Sequence, residues 1–172
     1  MTYVRWPEAL RIHGSAASAF AAAADAVEPE AWDRPFAEGK WSPAQITDHL
    51  IQTYDVILRE LAGGGGMKIR TRLWMRLFLR LTFMPRILRG GWFPAQAPAP
   101  PEIRPGKTPR GQQDGVALFR QRAKEYETAV QGKPEARLTH AYFGALAPAD
   151  GVLFCARHIE HHLNQISGRR AG

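Results

Sequence analysis

The chain contains one cysteine, Cys155, in 172 residues. That excludes an intramolecular disulfide and the paired Cys-x-x-Cys ligand sets of structural zinc sites. Long apolar runs are also missing. No stretch of about 18 uninterrupted apolar residues occurs, so no transmembrane helix is expected. The opening residues, MTYVRWPEAL, lack the charged start and apolar core of a secretory signal, which predicts a cytoplasmic protein. Strand-like alternation of useful length is absent, which leaves helices as the building material. There is no HExxH and no Glu-x-x-His repeat of a carboxylate di-iron bundle. GGGGMK lacks the spacing and terminal Ser or Thr of a phosphate-binding loop and reads as a flexible link.

The length predicts one domain over residues 1–172. At this size folding hides roughly 70% of the unfolded chain's surface, so no metal is needed merely to hold the fold together. A metal site in this chain would serve function. The first helix is expected from about Pro7 to Val27, rich in alanine, with Leu10, Ala17, Phe20, Ala24 and Val27 along one stripe. The second starts at WSPAQITDHL. Ser42 can cap it, Pro43 suits the first helical position, and Gln45 completes a capping box. Ile46, Leu50, Thr53, Ile57 and Leu61 then repeat at helical spacing until glycines 63–66 end it. A further helix is expected from Asp114 to Gln131, with Val116, Phe119, Ala123, Tyr126 and Val130 inward, and a last one from about Ala149 to Ser167. The expected fold is therefore all-α, an antiparallel four-helix bundle with residues 67–111 inserted between the second and third bundle helices.

The insertion carries the charge. The formal net charge is +7, and Lys68, Arg70, Arg72, Arg76, Arg80, Arg86 and Arg89 lie between Gly63 and Trp92 with no acidic residue among them. The basicity is a local feature, since these seven equal the whole excess. Residues 67–89 read as one broadly apolar helix whose arginine stripe, Arg72, Arg76 and Arg80, faces water while the helix joins the core or a dimer interface. Prolines 94, 98, 100, 101, 105 and 109 then forbid regular structure from Gly90 to Gly111, and a loop of that length in a compact domain usually has a job or is disordered.

Three histidines fall within five positions of the last helix, in ARHIEHHLNQI. His158 and His162 are four apart and share the edge of the apolar arc, whereas His161 points away and reads as a solvated or interface residue. Two imidazoles at that spacing can face one metal ion. His49 sits on the matching edge of the second helix, where a bundle neighbour could bring it to the same point. Three neutral imidazoles with an open position suit zinc, nickel or iron. His13 and His140 read as ordinary polar positions, with His13 a spare ligand, and Cys155 reads as a small core residue.

WSPAQITDHL, followed much later by HAYFGALAPADGVLFCARHIEHHLNQI, resembles the DinB-like superfamily of four-helix metal-binding proteins. The resemblance rests on Trp41 with Ser42, then His49, then Phe143 with Gly144, then His158, His162, Leu163, Gln165 and Ile166. It implies that His49, His158 and His162 hold a divalent metal, zinc or nickel first and iron or manganese as alternatives. Gln165 would orient an imidazole from its far side. The resemblance further implies a metal-dependent thiol S-transferase using a low-molecular-weight thiol of the bacillithiol or mycothiol type, or a hydrolase, acting on a small molecule. A rival reading is a non-catalytic binding protein that uses segment 67–93 on a membrane surface or a protein partner, including a second copy. Nucleic acid ranks below these, because the arginines come without a recognised nucleic-acid module.

Overall fold

In the computed structural model, residues 3–94 and 98–168 are described. The elements in chain order are α1 (Trp6–Asp25), α2 (Pro43–Leu61), α3 (Leu73–Thr82), α4 (Met84–Gly90), α5 (Gln112–Gln131), β1 (Leu138–His140), β2 (Gly144–Leu146) and α6 (Pro148–Ile166). Helices α1, α2, α5 and α6 form a four-helix bundle. Its core is built from Phe20, Leu50, Ile51, Tyr54, Phe119, Tyr126, Leu153 and Ile159, all 2% exposed or less.

Hydrogen bonds at the helix ends fix the directions. Tyr3 N donates to Asp150 Oδ1, so α1 and α6 start at the same end. The Gln112 side-chain amide donates to the carbonyls of Ala24 and Val27, joining the end of α1 to the start of α5. Lys133 reaches the Leu61 carbonyl, joining the ends of α2 and α5. The bundle therefore opposes two parallel pairs, α1 with α6 and α2 with α5. Such an arrangement requires a long crossover, which residues 62–111 supply. Packing is broad between α1 and α6, between α2 and α5, and between α1 and α5, but thin between α2 and α6.

The crossover differs from the sequence expectation in three ways. Residues 67–89 are not one helix. Residues 67–72 run extended, held where Arg70 N donates to Ala141 O (2.8 Å) and Thr71 Oγ donates to Tyr142 O (3.0 Å). The helix then breaks at Phe83, because Pro85 has no N–H to continue the ladder and instead suits the first turn of α4. The arginine stripe is also reversed. Arg80 donates to Ala145 O (3.2 Å) and the Arg76 side chain lies against Gly144, while Leu73, Trp74, Leu77, Phe78 and Leu81 face outward. Arginine can satisfy the otherwise open carbonyls of the short β1–β2 hairpin, which a leucine face cannot. Within the proline-rich loop, Pro101–Ile103 forms a 3-10 turn, so the region is not wholly irregular.

That hairpin was itself missed. Leu138 pairs with Leu146 and His140 with Gly144 in antiparallel register. Three-residue strands are too short to show alternation. Gly144, at φ +70°, makes the turn that a side chain would strain, and it leaves room for Arg76.

The start of α2 follows the sequence closely. Ser42 Oγ accepts from Gln45 N (3.2 Å) and Gln45 Oε1 accepts from Ser42 N (3.0 Å), a reciprocal capping box ahead of His49. Removing that cap by Ser42→Ala is expected to cost about 1 kcal/mol, a fall of about 2 to 4 °C in Tm by calorimetry. An unchanged Tm would show that packing alone fixes this helix start.

Candidate metal centre

Two helices that touch only thinly, α2 and α6, are joined by histidine. His158 Nε2 on α6 lies 3.1 Å from His49 Nε2 on α2 and 3.0 Å from His162 Nε2 on its own helix. One ligand nitrogen from each ring lies within 4.8 Å of the others, so the structure gathers the three sequence-singled histidines at one point. His49 and His162 are buried and His158 is half-buried.

Two of the far nitrogens are anchored. His49 Nδ1–H donates to the Ile103 carbonyl (2.5 Å), and His162 Nδ1–H donates to Gln165 Oε1 (2.8 Å). An imidazole that donates from Nδ1 keeps the Nε2 lone pair free for a ligand role. The donor set fits a divalent cation for an electrostatic reason. Lone pairs on His49 and His162 converge on His158 Nε2, and one proton there bridges a single neighbour well, whereas a cation attracts all three nitrogens.

Burial keeps these rings neutral. His49 is lowered to about 4, mainly by burial, against the raising effects of the Ile103 carbonyl and of Asp48. His158 and His162 are pushed well below the ordinary histidine value by burial, then by mutual repulsion among the clustered rings; the Gln165 bond opposes this at His162. Neutral imidazole is the form that ligates metal, so protons offer little competition near pH 7.

The walls are aromatic. The Trp41 ring lies 4.9 Å from His49 and is stacked on His162 at 6.3 Å. From the other side Phe93 packs on His158 at 5.8 Å and on His161 at 5.0 Å. Behind His49, Asp48 accepts from Gly106 N (3.0 Å), Arg110 Nη1 (2.5 Å) and Gln52 Nε2 (2.8 Å), while Trp32 Nε1 donates to Arg110 O (2.9 Å). These bonds dock the proline-rich loop and so hold the Ile103 carbonyl against His49.

Sequence reasoning missed Asp48, Ile103 and Phe93. A backbone carbonyl leaves no mark in a sequence, and Phe93 lies in a loop without periodicity. Asp48 had a usable signal, being an acid directly beside a proposed ligand on the inward side of a helix.

Other expectations are corrected. His161 is half-buried rather than fully solvated: it packs on Phe93, accepts from the Gln165 amide (3.1 Å), and has its pKa lowered by burial. His13 is neither an ordinary polar position nor a spare ligand. It is fully buried, with Nδ1 on Glu127 (2.9 Å) and Nε2 on the Tyr54 hydroxyl (2.9 Å), so both nitrogens are committed. His140 closes the hairpin, its Nδ1 accepting from Tyr142 N (3.2 Å), and burial lowers it to about 4. Cys155, by contrast, is the core residue the sequence implied, its thiol pushed up to about 12 by burial and no nucleophile near neutral pH. Arg76 and Arg80 are spent on the hairpin and Arg72 stands exposed at the start of α3, so the arginine stripe does not join the imidazoles.

Fold and site together define a four-helix bundle that brings three histidine nitrogens from two helices to one point. The sequence model of the DinB superfamily matches residues 14–166, and the chain belongs to that superfamily. Among solved structures the chain is similar to TT2238, described as a four-helix bundle protein, with 21% identity, a TM-score of 0.58, and coverage of 95% of this chain and 99% of that one. At that identity the likeness carries the fold. A comparison with curated proteins gives no match.

The lowered histidines predict a pH dependence. Between about pH 6.5 and pH 4 the unfolded chain binds protons that folded His49 and His140 refuse, so stability is fully present above 6.5 and is lost as pH falls. Urea unfolding of metal-free protein is expected to give a stability lower by a few kcal/mol at pH 5 than at pH 7. Equal stability at the two values would contradict the buried neutral rings.

Proposed function

We propose that the protein is a metal-dependent enzyme in which His49, His158 and His162 hold one divalent ion, with zinc or nickel preferred over iron or manganese. The observation that carries this reading is the convergence of three Nε2 atoms, with the His49 and His162 rings fixed from behind by Ile103 and Gln165. Three neutral imidazoles leave the ion open to a further ligand, where it supplies Lewis acidity and lowers the pKa of a coordinated thiol or water.

The chain's own residues favour thiol S-transfer over hydrolysis. Asp48, the carboxylate nearest the ligands in sequence, is occupied by three donors and is not free to serve as a general base. Cys155 is buried and held protonated, so the reacting thiol comes from a small molecule rather than from the chain. Thiol transfer asks only that a bound thiol be ionised and an electrophile be placed beside it, whereas hydrolysis commonly also recruits a base for water. Trp41 and Phe93 flank the site and limit water around the ligands. The basic surface of the crossover would draw in an anionic small thiol of the bacillithiol type through its field, an advantage that the sugar-bearing mycothiol type does not share.

Elemental analysis of untagged protein, after separate exposure to zinc, nickel, manganese and iron, is expected to give about one ion per chain with zinc or nickel. Folded His49→Ala and His158→Ala variants lose it, and Gln165→Leu is expected to weaken affinity by about 10- to 100-fold. Metal-loaded protein should then consume a small thiol in the presence of an alkylating electrophile. No metal in folded wild type would overturn the reading, and metal without thiol consumption or hydrolysis would reduce it to a binding role.

A further inference from the structure

The ten residues of α3 turn the wrong side to water for an ordinary surface helix. Leu73, Trp74, Leu77, Phe78 and Leu81 recur every three or four positions on the outer face, with exposures of 72, 64, 58, 56 and 70%. The opposite face, with Arg76, Leu79 and Arg80, lies against the hairpin and core. One continuous apolar strip thus stands in solvent, where isolated apolar residues would need no explanation but a strip does.

Its rim has one sign of charge. Lys68, Arg72, Arg86 and Arg89 are exposed around it, and residues 63–92 contain no acid. The carboxylates that reach the segment are already engaged: Glu102 is paired with Arg70 (2.8 Å), Glu160 beside Gly91 is paired with Arg157 (2.7 Å), and Glu60 beside Gly66 accepts from Thr139 N (3.1 Å). Beside α3, Arg86 and Arg89 join Pro85, Gly90 and Trp92 in lining an open cleft of ≈ 560 Å³, which no acidic residue lines.

We infer that α3 and this cleft seat the protein on an anionic lipid surface. The apolar strip enters the interfacial region of the bilayer, and the rim cations meet the headgroup phosphates. A helix of ten residues is about 15 Å long and lies along such a surface rather than crossing it. Among the described residues no helix is long and apolar enough to span a membrane. Charge argues against a second copy as the occupant: a twofold contact would lay the same exposed cations against themselves, with no acid within residues 63–92 to offset them. Lipid phosphates offset them directly.

Flotation with phosphatidylcholine vesicles, with and without about 30 mol% phosphatidylglycerol, tests the inference. Wild type is expected to float with the anionic vesicles, to be released by high salt, and to bind neutral vesicles at least tenfold more weakly. The double variant Leu77→Glu, Phe78→Glu should bind at least tenfold more weakly with unchanged circular dichroism and Tm, since both positions are exposed. Arg86→Glu and Arg89→Glu should each weaken binding by roughly fivefold. Failure to float, equal binding to both vesicles, or retained binding in the double variant would overturn the proposal. So would a solution dimer, seen by sedimentation, that the double variant dissolves.

Discussion

Three neutral imidazoles facing one another across a thin helix contact are the constraint on which the rest of this structure depends. A proton on His158 Nε2 bridges only one neighbour, so the other nitrogen, also about 3 Å away, is left unbridged in a buried setting, where ordinary packing would separate the rings. They stay because each element around them has a reason to be where it is. The capping box sets where α2 starts and hence which face His49 presents. The i, i+4 spacing on α6 places His158 and His162 on one side. The broad α1–α6 and α2–α5 contacts hold the two helices in place without crowding the seam between them.

The crossover serves that seam as much as the topology. A connection that only reversed direction could be short, but this one returns over the bundle so that α2 and α5 can run the same way. On its path it docks through Asp48, Arg110 and Trp32, presents the Ile103 carbonyl to His49, and lays Phe93 over His158. Met67, Val56, Ile103 and Ala141 form a small apolar cluster that ties the extended residues 67–72, α2, the loop and the hairpin together. The loop's proline content then has a physical use, since prolines reduce the entropy lost when an irregular segment is fixed.

Much of this was legible in the sequence. The long helices were readable because alanine content, caps and 3.6-residue periodicity agree over many residues, and α5 buries the five side chains its spacing picked out. The histidines were readable because their spacing on α6 and their place on α2 follow from helix geometry. What escaped was non-local. The inward turn of Arg76 and Arg80 depends on hairpin carbonyls that only the folded chain supplies, and the hairpin is too short for periodicity to reveal. His13 looked like an ordinary polar residue because its partners, Tyr54 and Glu127, lie on other helices.

The central claim is that His49, His158 and His162 coordinate one ion together through Nε2. X-ray absorption of the zinc-loaded protein tests it most directly, since the fine structure counts imidazole ligands and reads their distances. The account predicts three imidazoles with Zn–N of about 2.0 to 2.1 Å in wild type and two in a folded His49→Ala variant. A spectrum with fewer than three imidazoles in wild type, or one unchanged by His49→Ala, would contradict it.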